Sequence, residues 1–114
     1  MVVKKNHVPQ VVEREPMGGT GWLVLDKMSL AVNLPESVGM YAKATLAPDS
    51  EVGYHIHSAD SEVYYILSGE GEYVEDGVAR RVGAGDVTYT PMGGGHSIKN
   101  IGTTPLEFIA LILK

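Results

Sequence analysis

His55 and His57 stand one residue apart, and Glu62 follows five positions after the second. On a β-strand, side chains at i and i+2 leave the same face, so the two imidazoles would sit side by side. A turn over Ser58 to Ser61 would let Glu62 return to the same place on the next strand. His96 follows Glu62 by 34 residues, at the end of the run Gly85-Asp86-Val87-Thr88-Tyr89-Thr90-Pro91-Met92-Gly93-Gly94-Gly95-His96. Three imidazoles and one carboxylate make a ligand set for a first-row transition metal. A chain that must gather them has to fold strands from distant parts of the sequence against one another.

The rest of the chain supplies those strands. Met40, Ala42, Ala44 and Leu46 alternate with Tyr41, Lys43 and Thr45, the period of a half-buried strand. Residues 22–33 also read as a strand, with Trp22, Val24 and Leu25 its apolar content. Glu62 to Leu67 is strongly β-prone and puts Glu62, Tyr64 and Ile66 on one face. Asp76-Gly77 between Tyr73-Val74 and Val78–Val82 is a two-residue hairpin signal. Val87–Thr90 is the next strand, and His96, Ile98 and Asn100 share a face beyond it. Leu106–Leu113 is apolar on both faces after Glu107, which predicts burial on both sides, by a second sheet or by another subunit. Residues 1–21 read as an arm with short strands at Val2-Val3 and Val11-Val12, broken by Pro9 and Pro16. Gly18-Gly19-Thr20-Gly21 is a turn; it lacks the lysine and helix of a phosphate loop. No helical period of useful length appears. An all-β sandwich or barrel in one domain, residues 1–114, with the barrel over 22–114, is the expectation.

Composition removes several function classes. A net charge of −5 argues against nucleic acid as a main partner, because a duplex binder needs a basic face. No apolar run approaches membrane-spanning length, and the N-terminus lacks a signal-peptide core. There is no cysteine, hence no disulfide or thiolate site, which suits a cytoplasmic location. The 14 glycines and 6 prolines fit a fold rich in turns.

The motifs resemble those of the cupin superfamily, in its small single-domain, metal-binding form. The first cupin motif reads G-x5-H-x-H-x3,4-E-x6-G; here His55, His57, Glu62 and Gly69 keep its spacing. Its opening glycine falls on Asp49, a residue that also tolerates left-handed backbone. The second reads G-x5-P-x-G-x2-H-x3-N; Gly85, Pro91, Gly93, His96 and Asn100 meet every spacing. The two motifs cover 49–69 and 85–100. The resemblance implies a cupin double-stranded β-helix, or jelly roll, with His55, His57, Glu62 and His96 as ligands of one divalent metal. Asn100 then steadies a turn or strand end.

Around that centre Tyr64 is a candidate substrate contact, because it shares the face of Glu62. Met92 is a candidate for the pocket mouth. Tyr41, Tyr54 and Tyr89 read as packing residues and His7 as exposed. Lys43 lies opposite the Met40/Ala42 stripe and reaches either pocket or solvent. A divalent ion against one carboxylate leaves a residual charge of about +1, which favours an anionic ligand such as an oxalate-like, keto- or hydroxy-acid. Manganese or iron suits an octahedral site, with zinc or nickel as further occupants. A metalloenzyme acting on a small carboxylate or carbonyl metabolite follows, as a decarboxylase, dioxygenase or isomerase. A metal-dependent module that binds a small molecule, carboxylate or sugar, without catalysis is the alternative. Related oxalate decarboxylases carry an arginine three residues before the first histidine of the pair, where this chain has Val52. They also have two cupin units and a glutamate-bearing lid. Only 15 residues separate Gly69 from Gly85, leaving no insertion for a lid there. The apolar last strand and the β-prone arm suggest a homodimer, since each could cover a sheet edge.

Overall fold

The computed structural model describes all residues, 1–114. Ten strands follow in chain order: β1 (Gln10–Arg14), β2 (Trp22–Lys27), β3 (Val38–Leu46), β4 (Glu51–Ile56), β5 (Ser61–Ser68), β6 (Glu70–Glu75), β7 (Val78–Gly83), β8 (Val87–Thr90), β9 (Gly95–Asn100) and β10 (Leu106–Leu113). The only helical pieces are 3₁₀ turns at Lys5–His7, Pro16–Gly18 and Met28–Leu30. One sheet has the order β1-β2-β3-β10-β5-β8 and the other β4-β9-β6-β7. Every pairing is antiparallel. This is the all-β double-stranded β-helix that the motifs imply.

Alternation decides what each sheet turns inward. Leu23, Leu25, Ala42, Ala44, Leu46, Ile66, Leu106, Phe108 and Ala110 are buried on the inner face of the six-stranded sheet. Val52, Tyr73 and Ile98 meet them from the other sheet, and together they form one apolar cluster. Burying side chains of this kind stabilises the fold by roughly 1.5–3 kcal/mol for each large one.

The turns that close the strands are those that the sequence marks. Asp49 has φ +63°, so aspartate takes the left-handed turn expected of glycine there. Asp76 and Gly77 both have positive φ, as a two-residue hairpin turn with the twist of its strands requires. Gly69 has φ +90°, and a Cβ there would lie 2.6 Å from the Pro105 carbonyl oxygen, so a larger residue would force the loop before β10 away. Asn100 is 1% exposed. Its Nδ2 donates to the carbonyls of Leu46 and Thr104, both at 2.9 Å, and its Oδ1 accepts from Gly102 N–H. It thus ties β3 to the turn after β9, away from the histidines.

Several expectations change. The strand expected over 22–33 stops at Lys27, where the chain enters the Met28–Leu30 turn. Its apolar residues sit on both faces: Trp22 is 50% exposed, and Arg14 stacks over its ring at 5.7 Å. Val2-Val3 forms no strand, whereas Val11 and Val12 lie in β1. Within one chain the last strand is fully buried on one face only. Leu106, Phe108 and Ala110 are buried, while Ile109 and Leu111 are half-buried and Leu113 is exposed. Tyr41, Tyr54 and Tyr89 are surface residues rather than packed ones. Lys43 points outward with Tyr41 and pairs with Glu107 at 2.6 Å. Hydrogen bonding to Lys43 holds the Glu107 carboxyl below its usual range and raises Lys43 in turn. Both side chains are about a third or more exposed, so the pair adds little stability. No helix is long and apolar enough to cross a membrane.

Candidate metal centre

Strands β4 and β9 bring His55 directly opposite His96. Val52 is opposite Ile98, so three steps along β4 match two along β9, and a β-bulge lies between Val52 and His55. That extra residue has a consequence for direction. Residues three apart on a regular strand face opposite ways; the bulge restores His55 to the inner face that Val52 occupies. His57 lies just past the end of β4, yet its backbone keeps the ladder going. His57 N–H donates to the Gly94 carbonyl at 2.9 Å, and Gly93 N–H donates to the His57 carbonyl at 2.6 Å. Glu62 arrives from the other sheet, on β5 opposite Thr90. The site therefore spans the gap between the two sheets.

The four side chains converge. His57 Nε2 stands 3.0 Å from His96 Nε2, which stands 3.2 Å from His55 Nε2. Glu62 Oε1 lies 3.1 Å from Nε2 of both His57 and His96. One donor atom from each of the four residues falls within a span of 4.8 Å. His57, Glu62 and His96 are buried, at 7%, 4% and 1% exposed; His55 is half-buried.

The outer ring nitrogens explain how the inner ones are prepared. His55 Nδ1–H donates to the Gly53 carbonyl at 2.8 Å, and a carbonyl can only accept. His57 Nδ1–H donates to Asp60 Oδ1 at 2.6 Å. In the neutral imidazole each Nε2 then carries a lone pair aimed inward. His96 Nδ1 meets two hydroxyls, Tyr73 at 2.8 Å and Thr90 at 2.9 Å, which are 2.6 Å from each other. Tyr64 stacks on the His96 ring, centroids 5.0 Å apart, and fixes its plane. Two inward lone pairs beside a carboxylate repel one another unless a cation sits between them. Donors ~2.1 Å from a common ion and at right angles stand ~3.0 Å apart, against ~3.4 Å in a tetrahedron. The separations here fit a divalent ion with cis nitrogen ligands.

The centre opens on a cavity of about 120 Å³. His55, His57, Glu62 and Tyr64 face it, and Leu23, Leu25, Val52 and Phe108 form apolar walls. Glu13, Lys27, Met40 and Ile112 line it as half-buried residues, with the exposed Met17 beside them. His96 does not line it. Ile66 is packed in the core, and Met92, 63% exposed, stands away from it. Burial first, then the Glu62 charge, pushes the Tyr64 hydroxyl well above its usual 10.0. Tyr64 is therefore a proton-bearing donor at neutral pH, not a base. Burial also raises Tyr73, partly offset by its bond with Thr90.

Glu13 and Met17 come from the arm, which has no motif to mark it. A Cβ on Gly53 would lie 2.3 Å from the Met17 carbonyl oxygen, and one on Gly19 would strike the Glu51 carbonyl. These two glycines let residues 16–20 lie flat on β4, sealed by the Thr20–Glu51 backbone bonds at 3.0 and 2.9 Å. Tyr73 and Thr90 were likewise unmarked, because their roles depend on cross-strand register; Asp60, three residues after His57, is a local turn contact that no motif position marks.

Burial lowers the His55 pKa below its usual 6.5, more than its Gly53 bond raises it. A lowered histidine value means that the unfolded chain takes a proton before the folded one does. Stability from this residue is thus full above pH 6.5 and is lost as pH falls through the window down to the lowered folded value. Metal-free protein should show a fall in urea midpoint between neutral pH and about pH 5 that is smaller in His55→Gln. An identical fall in both proteins would contradict this assignment.

Comparison with known proteins agrees with this geometry. The family model described as a cupin domain matches residues 42–112. The oxalate-binding protein of Thermotoga maritima is 35% identical over 113 residues, covering 99% of this chain and 93% of that protein. Oxalate decarboxylase of Bacillus subtilis is 31% identical over 107 residues, covering 90% of this chain but only 28% of that protein. The crystal structure of a predicted oxalate decarboxylase from Thermotoga maritima superposes with a TM-score of 0.89 at 36% identity, covering 99% and 98% of the two chains. With the matched motifs, the two-sheet topology and the buried His₃Glu cluster, these likenesses make the chain a member of the cupin family.

Proposed function

We propose that this protein binds small carboxylates, oxalate-like acids among them, on one divalent metal held by His55, His57, Glu62 and His96. The observation that carries the reading is the convergence of three inward Nε2 atoms and the Glu62 carboxylate within 4.8 Å. Its similarity to an oxalate-binding protein over nearly its whole length supports the ligand class. Bound there, a divalent ion supplies open Lewis-acid positions for a carboxylate. Manganese or iron suits the cis arrangement best, and zinc or nickel are further occupants. The protein does the rest. Gly53, Asp60 and the Tyr73/Thr90 pair keep the three rings oriented. Leu23, Leu25, Val52 and Phe108 exclude water, and this strengthens every charge interaction inside. Tyr64 can donate a hydrogen bond to a bound oxygen from the cavity wall.

Turnover is the second reading, favoured by the likeness to oxalate decarboxylase and by the Glu13 carboxyl in the same cavity. Val52 in place of the arginine of those enzymes places binding ahead of it.

Protein purified without chelator should carry one equivalent of a transition metal, and His57→Ala should lose it. Calorimetric titration with oxalate should give heat only in the loaded protein. Metal content unchanged in the variant, or binding that ignores the metal, would sink the reading. Formate and carbon dioxide from oxalate would move the second reading ahead.

The outer face of the six-stranded sheet favours a homodimer. Tyr41, Leu111, Val63 and Tyr89 form one cross-strand row, and Ile109, Tyr65 and Val87, with Lys43 at the β3 end, form the next. Tyr65 and Val87 are 46% and 65% exposed, and a contiguous apolar patch of this kind marks an interface. Light scattering should report a dimer in the wild type and a monomer in Tyr65→Glu. A monomeric wild type at micromolar concentration would contradict the assembly.

A further inference from the structure

The cavity holds two charged side chains beyond the converging donors, Glu13 and Lys27. Lys27 follows Leu23 and Leu25 at the two-residue interval of β2. Both leucines are buried, so Lys27 occupies the inner face of the sheet, where strands normally carry apolar residues. The sheet register says what it faces. Lys27, Ala42, Ala110 and Tyr64 follow one another across β2, β3, β10 and β5. Lys27 and Tyr64 are three strand spacings apart, ~14 Å between Cα atoms. The alanines between them, 0% and 2% exposed, have nothing beyond Cβ. Ala42 is covered, while Ala110 lines the cavity together with Lys27 and Tyr64, so the cavity passes over that small side chain between them. The adjacent row is Met40, Ile112 and Glu62, so this stretch of the cavity lies beside the metal centre.

Lys27 has no partner of its own. It takes part in none of the five ion pairs of the chain. Glu13 is opposite Leu23, four residues from Lys27 along β2, an offset of ~13 Å. The cation that oxalate decarboxylases carry on the histidine strand is absent here, since Val52 is buried and apolar.

We infer that Lys27 is the specificity residue of this site: it takes the second anionic group of a dicarboxylate whose first group is held at the four-donor centre. The inference rests on the metal-dependent reading given above. A centre with residual charge of about +1 and an ammonium across an apolar floor present two positive points, matched by a small dianion. A monocarboxylate fills the first point only and leaves Lys27 in water. Discrimination then comes from one charge-assisted bond that the shorter ligand cannot make.

The experiment is calorimetry on manganese-loaded wild type, Lys27→Gln and Lys27→Arg, titrated with oxalate, malonate and succinate, and with acetate and propionate as controls. At least one dicarboxylate should bind the wild type about tenfold tighter than either monocarboxylate. Lys27→Gln should lose that preference while binding acetate as the wild type does, and Lys27→Arg should keep most of it. Manganese content measured in each variant separates this role from damage to the centre. Equal weakening of mono- and dicarboxylates, or an unchanged preference in Lys27→Gln, would overturn the assignment. Loaded wild type that binds none of the five acids would overturn the metal-dependent reading itself, and Lys27's role with it. Loaded wild type that binds acetate without preferring any dicarboxylate would overturn the role of Lys27 alone.

Discussion

Everything at the site depends on three imidazoles turning their Nε2 atoms to one point. Nothing in an apolar core brings that about unaided, because lone pairs beside a carboxylate repel. The fold meets the constraint in two ways. The bulge between Val52 and His55 turns His55 inward without taking Val52 out of the core. Acceptors behind two of the rings then fix the tautomer and the ring plane: the Gly53 carbonyl and the Asp60 carboxylate each take an Nδ1–H. His55 and His57 are thus held with Nε2 towards the centre by hydrogen bonds made away from it.

The sheets divide the labour. The four-stranded sheet brings all three histidines, on β4 and β9 and at the end of the β4 ladder. The six-stranded sheet brings Glu62 together with the residues that shape the cavity. Large side chains, Phe108, Leu46 and Ile66, fill the middle of the sandwich. The cavity passes over the small side chains of Ala44 and Ala110 and reaches Glu13 on β1 and Lys27 at the end of β2. The same sheet presents an apolar outer face, so one set of strands serves both the pocket and the proposed contact with a second copy.

Legibility in the sequence tracks distance along the chain. His55, His57 and Glu62 are close enough for spacing to reveal them, and the glycines and proline before His96 mark a loop that passes near a ligand. The Asp49 and Asp76-Gly77 turns are visible for the same reason, since the backbone angle is a local property. Lys27 was hidden because β2 carries apolar residues on both faces: Trp22 and Val24 face outward, Leu23 and Leu25 inward, so alternation alone did not say which side was core. Tyr73 and Thr90 reach His96 from 23 and 6 residues away, and only the pairing of β6 with β9 and of β5 with β8 reveals them. The last strand was legible only as apolar on both faces. Its outer residues Ile109 and Leu111 are half-buried within one chain, and a sequence does not distinguish cover by a second sheet from cover by another subunit.

The central claim is that the four donors hold one ion between them. It is tested most directly by diffraction from crystals of metal-loaded protein, with data collected on either side of the absorption edge of the bound metal. The account predicts one anomalous peak, bounded by Nε2 of His55, His57 and His96 and by the carboxylate of Glu62. Peaks confined to the exposed His7 or to surface carboxylates, with none among those four atoms, would contradict it.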